Sequence, residues 1–230
     1  PDASAVVGLD AEWSPLVSGA GFKQGIVDVL QLCFQQKGSS HKKIFVFQML
    51  NIFSEHSLEQ QLATSLLKKL LELDSIAWVG RKIAGDVNRL RQGFGFQVNG
   101  NNVMDVGSFA LDRSTFPATG LAGRVIPPVF LGKRVTANAA LTTLCQILLG
   151  KTLKKDESNV RVSRWDDATL THRQVRYAAT DAAASLDVYF AAEEKAPQWY
   201  IVDSPVPNAL GLHAPPPSAA NGVVDAVPVV

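Results

Sequence analysis

Apolar residues alternate or run together in short bursts over the first half of the chain, and recur at three- and four-residue intervals over much of the second half. Residues 5–13, AVVGLDAEW, form a strand-like run that ends in two carboxylates, Asp10 and Glu12. Alternation along a strand puts those two acids on one face. IVDVLQLCFQ (26–35) and KIFVFQML (43–50) read as two further strands parted by the turn-like QKGSSHK, so a three-stranded meander is expected. In SLEQQLATSLLKKLLEL the leucines return at helical spacing, and Ser57 precedes Gln60 at capping-box spacing. SIAWVG (75–80) is a fourth strand, AGDVNRLRQGFG a helix stopped by glycine, and NNVMDV a short fifth strand.

Residues 111–137 carry Pro117, Pro127, Pro128 and several glycines, and read as a long loop insertion. NAALTTLCQILLG (138–150) is expected to be a helix ended by Gly150. The polar connection KTLKKDESNVRVSRWDD follows. Thr171 with Gln174 then forms a second capping-box pattern that opens a long helix, HRQVRYAATDAAASLDVYFAAEEK. From Pro197 the composition turns to Pro, Ala and Val with few charges, so 1–196 reads as one domain and 197–230 as a flexible tail. Strands first, then alternating helices and strands, predict an α/β fold: a mixed five-stranded sheet with helices on both faces. The crevice of such a sheet lies at the carboxyl ends of strands, where Asp10 and Glu12 fall.

Composition adds little to this picture. With 230 residues, 47% of them hydrophobic, the chain has material for a core. A net charge of +1 gives no bulk argument for a polyanionic partner, so any such partner must be argued from a local site. No apolar run is long enough to span a bilayer, and no membrane partner is expected. Cys33 and Cys145 sit in apolar contexts, which favours an intracellular, reducing setting over a disulfide. The chain opens on Pro1 with no signal-peptide pattern, so an excised fragment with missing flanking domains is the expectation.

The acids change the picture more. Besides Asp10 and Glu12, Asp86 lies early in the helix after the fourth strand, and Asp181 lies in the alanine-rich YAATDAA of the last helix. Tyr177 precedes Asp181 by four positions and shares its helical face. A carboxylate in such apolar surroundings is costly without a partner, and no lysine or arginine stands one turn away from Asp181. A bound cation resolves the cost for all four acids. Oxygen donors suit Mg²⁺ and Mn²⁺, and no Cys/His spacing points to zinc. A pair of such ions about 3.5–4 Å apart is the usual clamp for in-line displacement at phosphorus. Taken singly, each residue has a bland reading: a common D-x-E on a strand, a helix-dipole acid at Asp86, a core aromatic at Tyr177. Their conjunction carries the argument.

These residues also resemble a known family. GLDAEW, WVGRKIAGDVNRL and LLGKTLKKDESNVRVSRWDDATLTHRQVRYAATDA are similar to the motifs of the DEDD 3′–5′ exonucleases, on their RNase D-like and Werner-type branch, over about residues 5–195. The resemblance implies an RNase H-like fold. It implies Asp10, Glu12, Asp86 and Asp181 as ligands of two divalent cations, Mg²⁺ or Mn²⁺. Tyr177 matches the tyrosine of the DEDDy subgroup and would orient the attacking water, whereas Arg176 occupies the position where the sister subgroup has histidine. The implied reaction removes nucleotides from a free 3′ end, single-stranded or recessed, in DNA repair or RNA processing, and in an intracellular, nuclear setting. The alternative is a catalytically silent nucleic-acid-binding module on the same fold.

Candidates for substrate contact are Trp13, Lys155, Arg161 and Arg164. Trp13 has a second reading as a core ring, and the basic residues, Lys154 among them, have a second reading as a solvated linker. Trp165 is expected to pack, and Asp105 to cap the helix that follows it. The insertion 111–137 carries Arg113, Arg124, Lys133 and Arg134 against Asp112, and reads either as a lid beside the site or as a neutral surface loop.

Overall fold

A computed structural model describes residues 5–14, 26–36, 39, 41–53, 57–115, 129–130, 133–153 and 159–195. Five strands form the main sheet: β1 (Ala5–Glu12), β2 (Val29–Gln35), β3 (Lys42–Gln48), β4 (Ile76–Gly80) and β5 (Val103–Asp105). Their order is β3-β2-β1-β4-β5. The first three pair antiparallel as a meander, and β4 and β5 add in parallel. The mixed five-stranded sheet expected from the sequence is present.

Alternation on β1 separates two cores. Val7, Leu9 and Ala11 face a core that includes Leu30, Leu32, Trp78, Ile83 and Leu90. On that face lie α1 (Met49–Ile52), α2 (Leu58–Leu71) and α3 (Ile83–Phe94). The opposite face packs Val29, Cys33, Ile44, Val46 and Val79 under α4 (Val106–Thr115), α5 (Leu141–Leu144) and the long α6 (His172–Lys195). Each fully buried leucine here contributes roughly 1.5–3 kcal/mol relative to exposure. Helices thus cover both faces.

Several boundaries differ from the sequence expectation. The second strand starts at Val29 and not at residue 26, with Asp28 bonded through its N–H to the Glu12 carbonyl at 2.9 Å. The third strand stops at Gln48, because Met49–Ile52 winds into α1 to put Met49 and Ile52 in the core. The insertion 111–137 is not irregular throughout. Residues up to Thr115 belong to α4, and β6 (Val129–Phe130) pairs antiparallel with β7 (Lys133–Arg134). Helix propensity over GSFALDRST outlasts the first position that looked like loop. The helix expected over 138–150 begins at Leu141 and continues from Cys145–Leu149 as π-helix, ended by Gly150 at φ +64°. Residues 116–128 and the tail 197–230 lie outside the described residues.

Both capping boxes formed. Ser57 and Gln60 exchange side-chain and backbone bonds at the head of α2. Thr171 and Gln174 do the same at the head of α6. Each satisfies N–H groups that a helix start leaves unpaired.

Candidate active site

The sheet face under α6 carries Gly8, then Asp10, then Glu12 along β1. Gly8 is where the helix comes down. A methyl group there would collide with the Ala182 carbonyl and press on Leu186. The absent side chain lets α6 sit low on the sheet, and the buried Ala178, Ala179 and Ala182 keep the approach close. That approach brings Asp181, one residue before the contact, to the two acids of β1. Carboxylate oxygens of Asp10, Glu12 and Asp181 lie within 4.8 Å of one another.

Asp86 reaches the same place by another route. At the end of β4 the chain turns through Lys82, which holds the left-handed conformation at φ 59°. Asp105 fixes that turn. Its Oδ2 accepts from the Lys82 N–H at 2.5 Å and from Arg81 Nη1 at 2.8 Å, and its Oδ1 accepts from Gly107 and Ser108 N–H at 2.9 and 3.0 Å. Asp105 therefore caps α4 as expected, and also ties that helix to the β4–α3 turn. Arg81 is completed by the carbonyls of Ala139 and Ala137, at 2.7 and 3.0 Å. The turn sets α3 so that Asp86, in its first turns, is buried. Asp86 stands outside the 4.8 Å triple but close enough for its charge to act on Asp10 and Glu12.

The electrostatics follow from four acids crowded in a cleft where Glu12 and Asp86 are buried and Asp10 and Asp181 half-buried. Burial raises the Asp10 carboxyl well above the usual range, and the charges of Asp86, Glu12 and Asp181 raise it further, against a lowering backbone bond from Ala11. Burial, then Asp181 and Asp86, push Glu12 up to about 8, while Arg161 pulls it down. Burial pushes Asp86 up to about 7, opposed by Arg89. The Tyr177 hydroxyl lies far above its ordinary value. Burial is the main cause, followed by the charges of Asp181, Glu12 and Asp10, and by a hydrogen bond to the Asp181 side chain. Carboxyls raised in this way favour either a proton or a cation. The convergent donor set is all oxygen, from β1 and α6, and fits a hard divalent ion. It offers no thiol or imidazole among its members.

Of the expected substrate contacts, Arg161 acts on Glu12 electrostatically. Trp13 is half-buried beneath Arg89, whose guanidinium carbon lies 4.1 Å from the ring centroid, a cation–π contact that answers neither reading fully. Arg164 is exposed and turned to Asp166 and Asp167, at 3.5 and 3.4 Å. Lys155 and Lys154 fall outside the described residues. Trp165 is buried, as expected, with its ring 6.1 Å from that of Tyr177. His172 is exposed at the first position of α6, and Arg176 is exposed one residue before Tyr177.

Two residues beside the acids escaped the sequence reading. Arg89 lies three positions beyond Asp86, close to one helical turn. Gln31 faces Asp10 directly across the β1–β2 pair, fully buried, with its Oε1 unpaired among the described atoms. A glutamine at an inward position of the apolar run VLQLCF was the available signal.

Comparisons with known proteins show the family and the fold. A model of the 3′–5′ exonuclease family matches residues 1–195. The bifunctional 3′–5′ exonuclease/ATP-dependent helicase WRN of Mus musculus is 31% identical over 186 residues, covering 80% of this chain but only 10% of that protein. Among solved structures, Escherichia coli RNase D superposes with a TM-score of 0.55 at 17% identity, over 84% of this chain and 40% of that one. The catalytic core of RRP6 from Trypanosoma brucei gives 0.53 at 17% identity, over 84% and 42%. NrnC of Brucella melitensis gives 0.52 at 16% identity, over 86% and 76%. These structural likenesses establish the fold, which is RNase H-like. With the family match spanning nearly all the described chain and an acidic crevice on the expected strand ends, the chain belongs to the 3′–5′ exonuclease family, a family of hydrolases acting on nucleic acids.

Proposed function

We propose that Asp10, Glu12, Asp86 and Asp181 hold two divalent cations, Mg²⁺ or Mn²⁺, and that this chain removes nucleotides from the 3′ end of DNA or RNA by the DEDDy mechanism. The observation that carries this reading is the convergence of carboxylate oxygens of Asp10, Glu12 and Asp181 within 4.8 Å, in a setting that raises the carboxyls of Asp10 and Glu12. Bound cations supply Lewis acidity toward the phosphodiester and its attacking water. The protein residues do the rest. Tyr177 keeps its proton throughout the working range and, anchored to Asp181, orients the water beside the scissile bond. Arg161, beside Glu12, meets the backbone phosphate. Trp13, next to Glu12 in the chain and stacked under Arg89, is assigned to the terminal base. Arg164 and Lys155 are assigned to the more distant phosphates.

The substrate is a nucleic acid with a free 3′ end, single-stranded or recessed. The mouse relative is a 3′–5′ exonuclease and helicase, and the E. coli neighbour is an exoribonuclease involved in structured RNA processing. Both DNA and RNA therefore belong in the assay. Since the chain spans about a tenth of the mouse relative, flanking domains are part of the proposal. So are a domain at 1–196 with its insertion at 111–137, a dispensable tail at 197–230, and an intracellular, nuclear setting. Its intracellular part is supported by two buried, free cysteines, and exclusion of the tagged full-length protein from nuclei would refute its nuclear part. No helix among the described residues is long and apolar enough to cross a membrane.

The test is a time course on 5′-labelled single-stranded DNA, single-stranded RNA and a recessed duplex, with Mg²⁺, Mn²⁺ or EDTA. A metal-dependent ladder that shortens from the 3′ end and is absent in Asp10→Ala and Asp181→Ala is expected. Binding without cleavage by folded protein under every metal would instead make the chain a silent binding module. Deleting residues 200–230 should leave the ladder unchanged, and loss of folding on that deletion would refute the tail assignment.

A further inference from the structure

A buried glutamine at the head of α6 joins two functions in one side chain. Gln174 is only 4% exposed. Its Oε1 accepts from the Thr171 N–H and hydroxyl, both at 2.9 Å, which is its half of the capping box. Its Nε2 does something the box does not require. It donates to Ser163 Oγ at 3.0 Å and to the Arg164 carbonyl at 2.8 Å. Those acceptors belong to the short turn that follows Val160–Val162. The same turn closes on itself through Ser163 Oγ to the Val160 carbonyl at 2.7 Å and Trp165 Nε1 to the Arg161 carbonyl at 3.4 Å.

The turn carries two side chains that matter to the crevice. Trp165 is buried with its ring 6.1 Å from Tyr177, and Arg161 acts on Glu12. Tyr177 itself stands three residues beyond Gln174 on the same helix. We infer that Gln174 is a positioning residue for the exonuclease reaction: by clamping the 160–165 turn to the first turn of α6, it holds Trp165 beside Tyr177 and fixes the turn from which Arg161 extends. This inference rests on the proposed roles of Tyr177 and Arg161. Neither donated bond stabilises the helix start, which Oε1 already serves, so clamp and cap are separable by substitution.

Gln174→Glu keeps an acceptor for Thr171 and loses both donated bonds. Thr171→Ala weakens the cap and leaves both donated bonds in place. With the full chain and Mn²⁺, Thr171→Ala should lower Tm by roughly 2–4 °C and leave kcat and KM within about twofold of wild type. Gln174→Glu should lower kcat roughly 10- to 100-fold and raise KM. The decisive readout is a double-mutant cycle. In a Tyr177→Phe background Gln174→Glu should cost little further kcat, and in an Arg161→Ala background it should raise KM little further. An equal, additive loss in both backgrounds would overturn the inference, as would a Thr171→Ala enzyme impaired as badly as Gln174→Glu. If Gln174→Glu does not fold, Ser163→Ala removes one acceptor of the clamp while sparing the cap, and the same cycles are run on its smaller loss. A wild-type chain that cuts nothing would refute the proposed function, whereas an active wild type with additive cycles would refute the clamp alone.

Discussion

At the residue scale, the crevice is a place where charge is held at a cost. Asp10, Glu12 and Asp86 are each raised mainly by burial, and Asp10 and Glu12 by their neighbours as well. Tyr177 sits among the same charges with its hydroxyl raised, so it keeps its proton across the neutral range. A phenol held that way orients water better than it removes a proton. Tyr177→Phe is therefore expected to lower kcat roughly 10²-fold with KM within about threefold, measured on a labelled oligonucleotide at saturating Mn²⁺. An unchanged kcat with a raised KM would make Tyr177 a binding residue. Asp10→Asn should abolish cleavage yet raise the melting temperature of the metal-free protein at alkaline pH, where the acids are ionised, because there it removes one charge from a repelling set.

At the element scale, α6 matters more by where it rests than by what it carries. Asp181 joins Asp10 and Glu12 only because Gly8 admits the helix backbone to the sheet. Gly8→Val forces α6 away, since its side chain would overlap the Ala182 carbonyl. The expected outcome is a folded or partly destabilised protein whose turnover falls roughly 10²-fold for a shift near 1 Å, read by circular dichroism alongside the oligonucleotide assay. A fully active Gly8→Val would remove the argument that close approach builds the site. The β4–α3 turn is the second such device, where Asp105 binds Arg81, the Lys82 N–H and the head of α4 at once.

At the scale of the whole molecule, the acid cluster couples stability to pH and metal. Glu12 titrates at about 8 in the folded chain against an ordinary 4.5, and Asp86 at about 7 against 3.8. For an acid raised on folding, the folded state holds more protons than the unfolded state between the two values, so stability falls as pH rises through that window. Metal-free protein should lose melting temperature steadily between about pH 4 and pH 8. Saturating Mn²⁺ or Mg²⁺ should raise Tm most at the upper end, since the ions bind the ionised, folded form. A Tm in EDTA that is flat or rising over that range would contradict the cluster's electrostatics. A metal response that survives Asp10→Ala together with Asp181→Ala would place the ions elsewhere.

Much of this is legible in the sequence, and the reason is local. Alternation in AVVGLDAEW, leucine spacing in the second helix and the two Ser/Thr-to-Gln caps are short-range signals, readable because they depend on residues within a few positions of each other. All of them formed. The four acids and Tyr177 could be nominated by residue type and by resemblance. What the sequence could not rank was proximity. Asp10 and Asp181 are far apart along the chain, and their meeting depends on strand order and on a glycine under a helix, while Asp86 arrives through a left-handed lysine at a turn. Those are packing outcomes, decided by which apolar faces find each other. The missed residues fall in the same class: Gln31 and Arg89 look ordinary in their segments and gain meaning only from what stands opposite. The sequence alone determined the five main strands, the longer helices and the family, and nominated the oxygen ligands, because those are written in local pattern and side-chain type. Only the tertiary structure decided that Asp10, Glu12 and Asp181 share one small volume with Asp86 beside it, because burial and mutual repulsion exist only once distant segments are brought together.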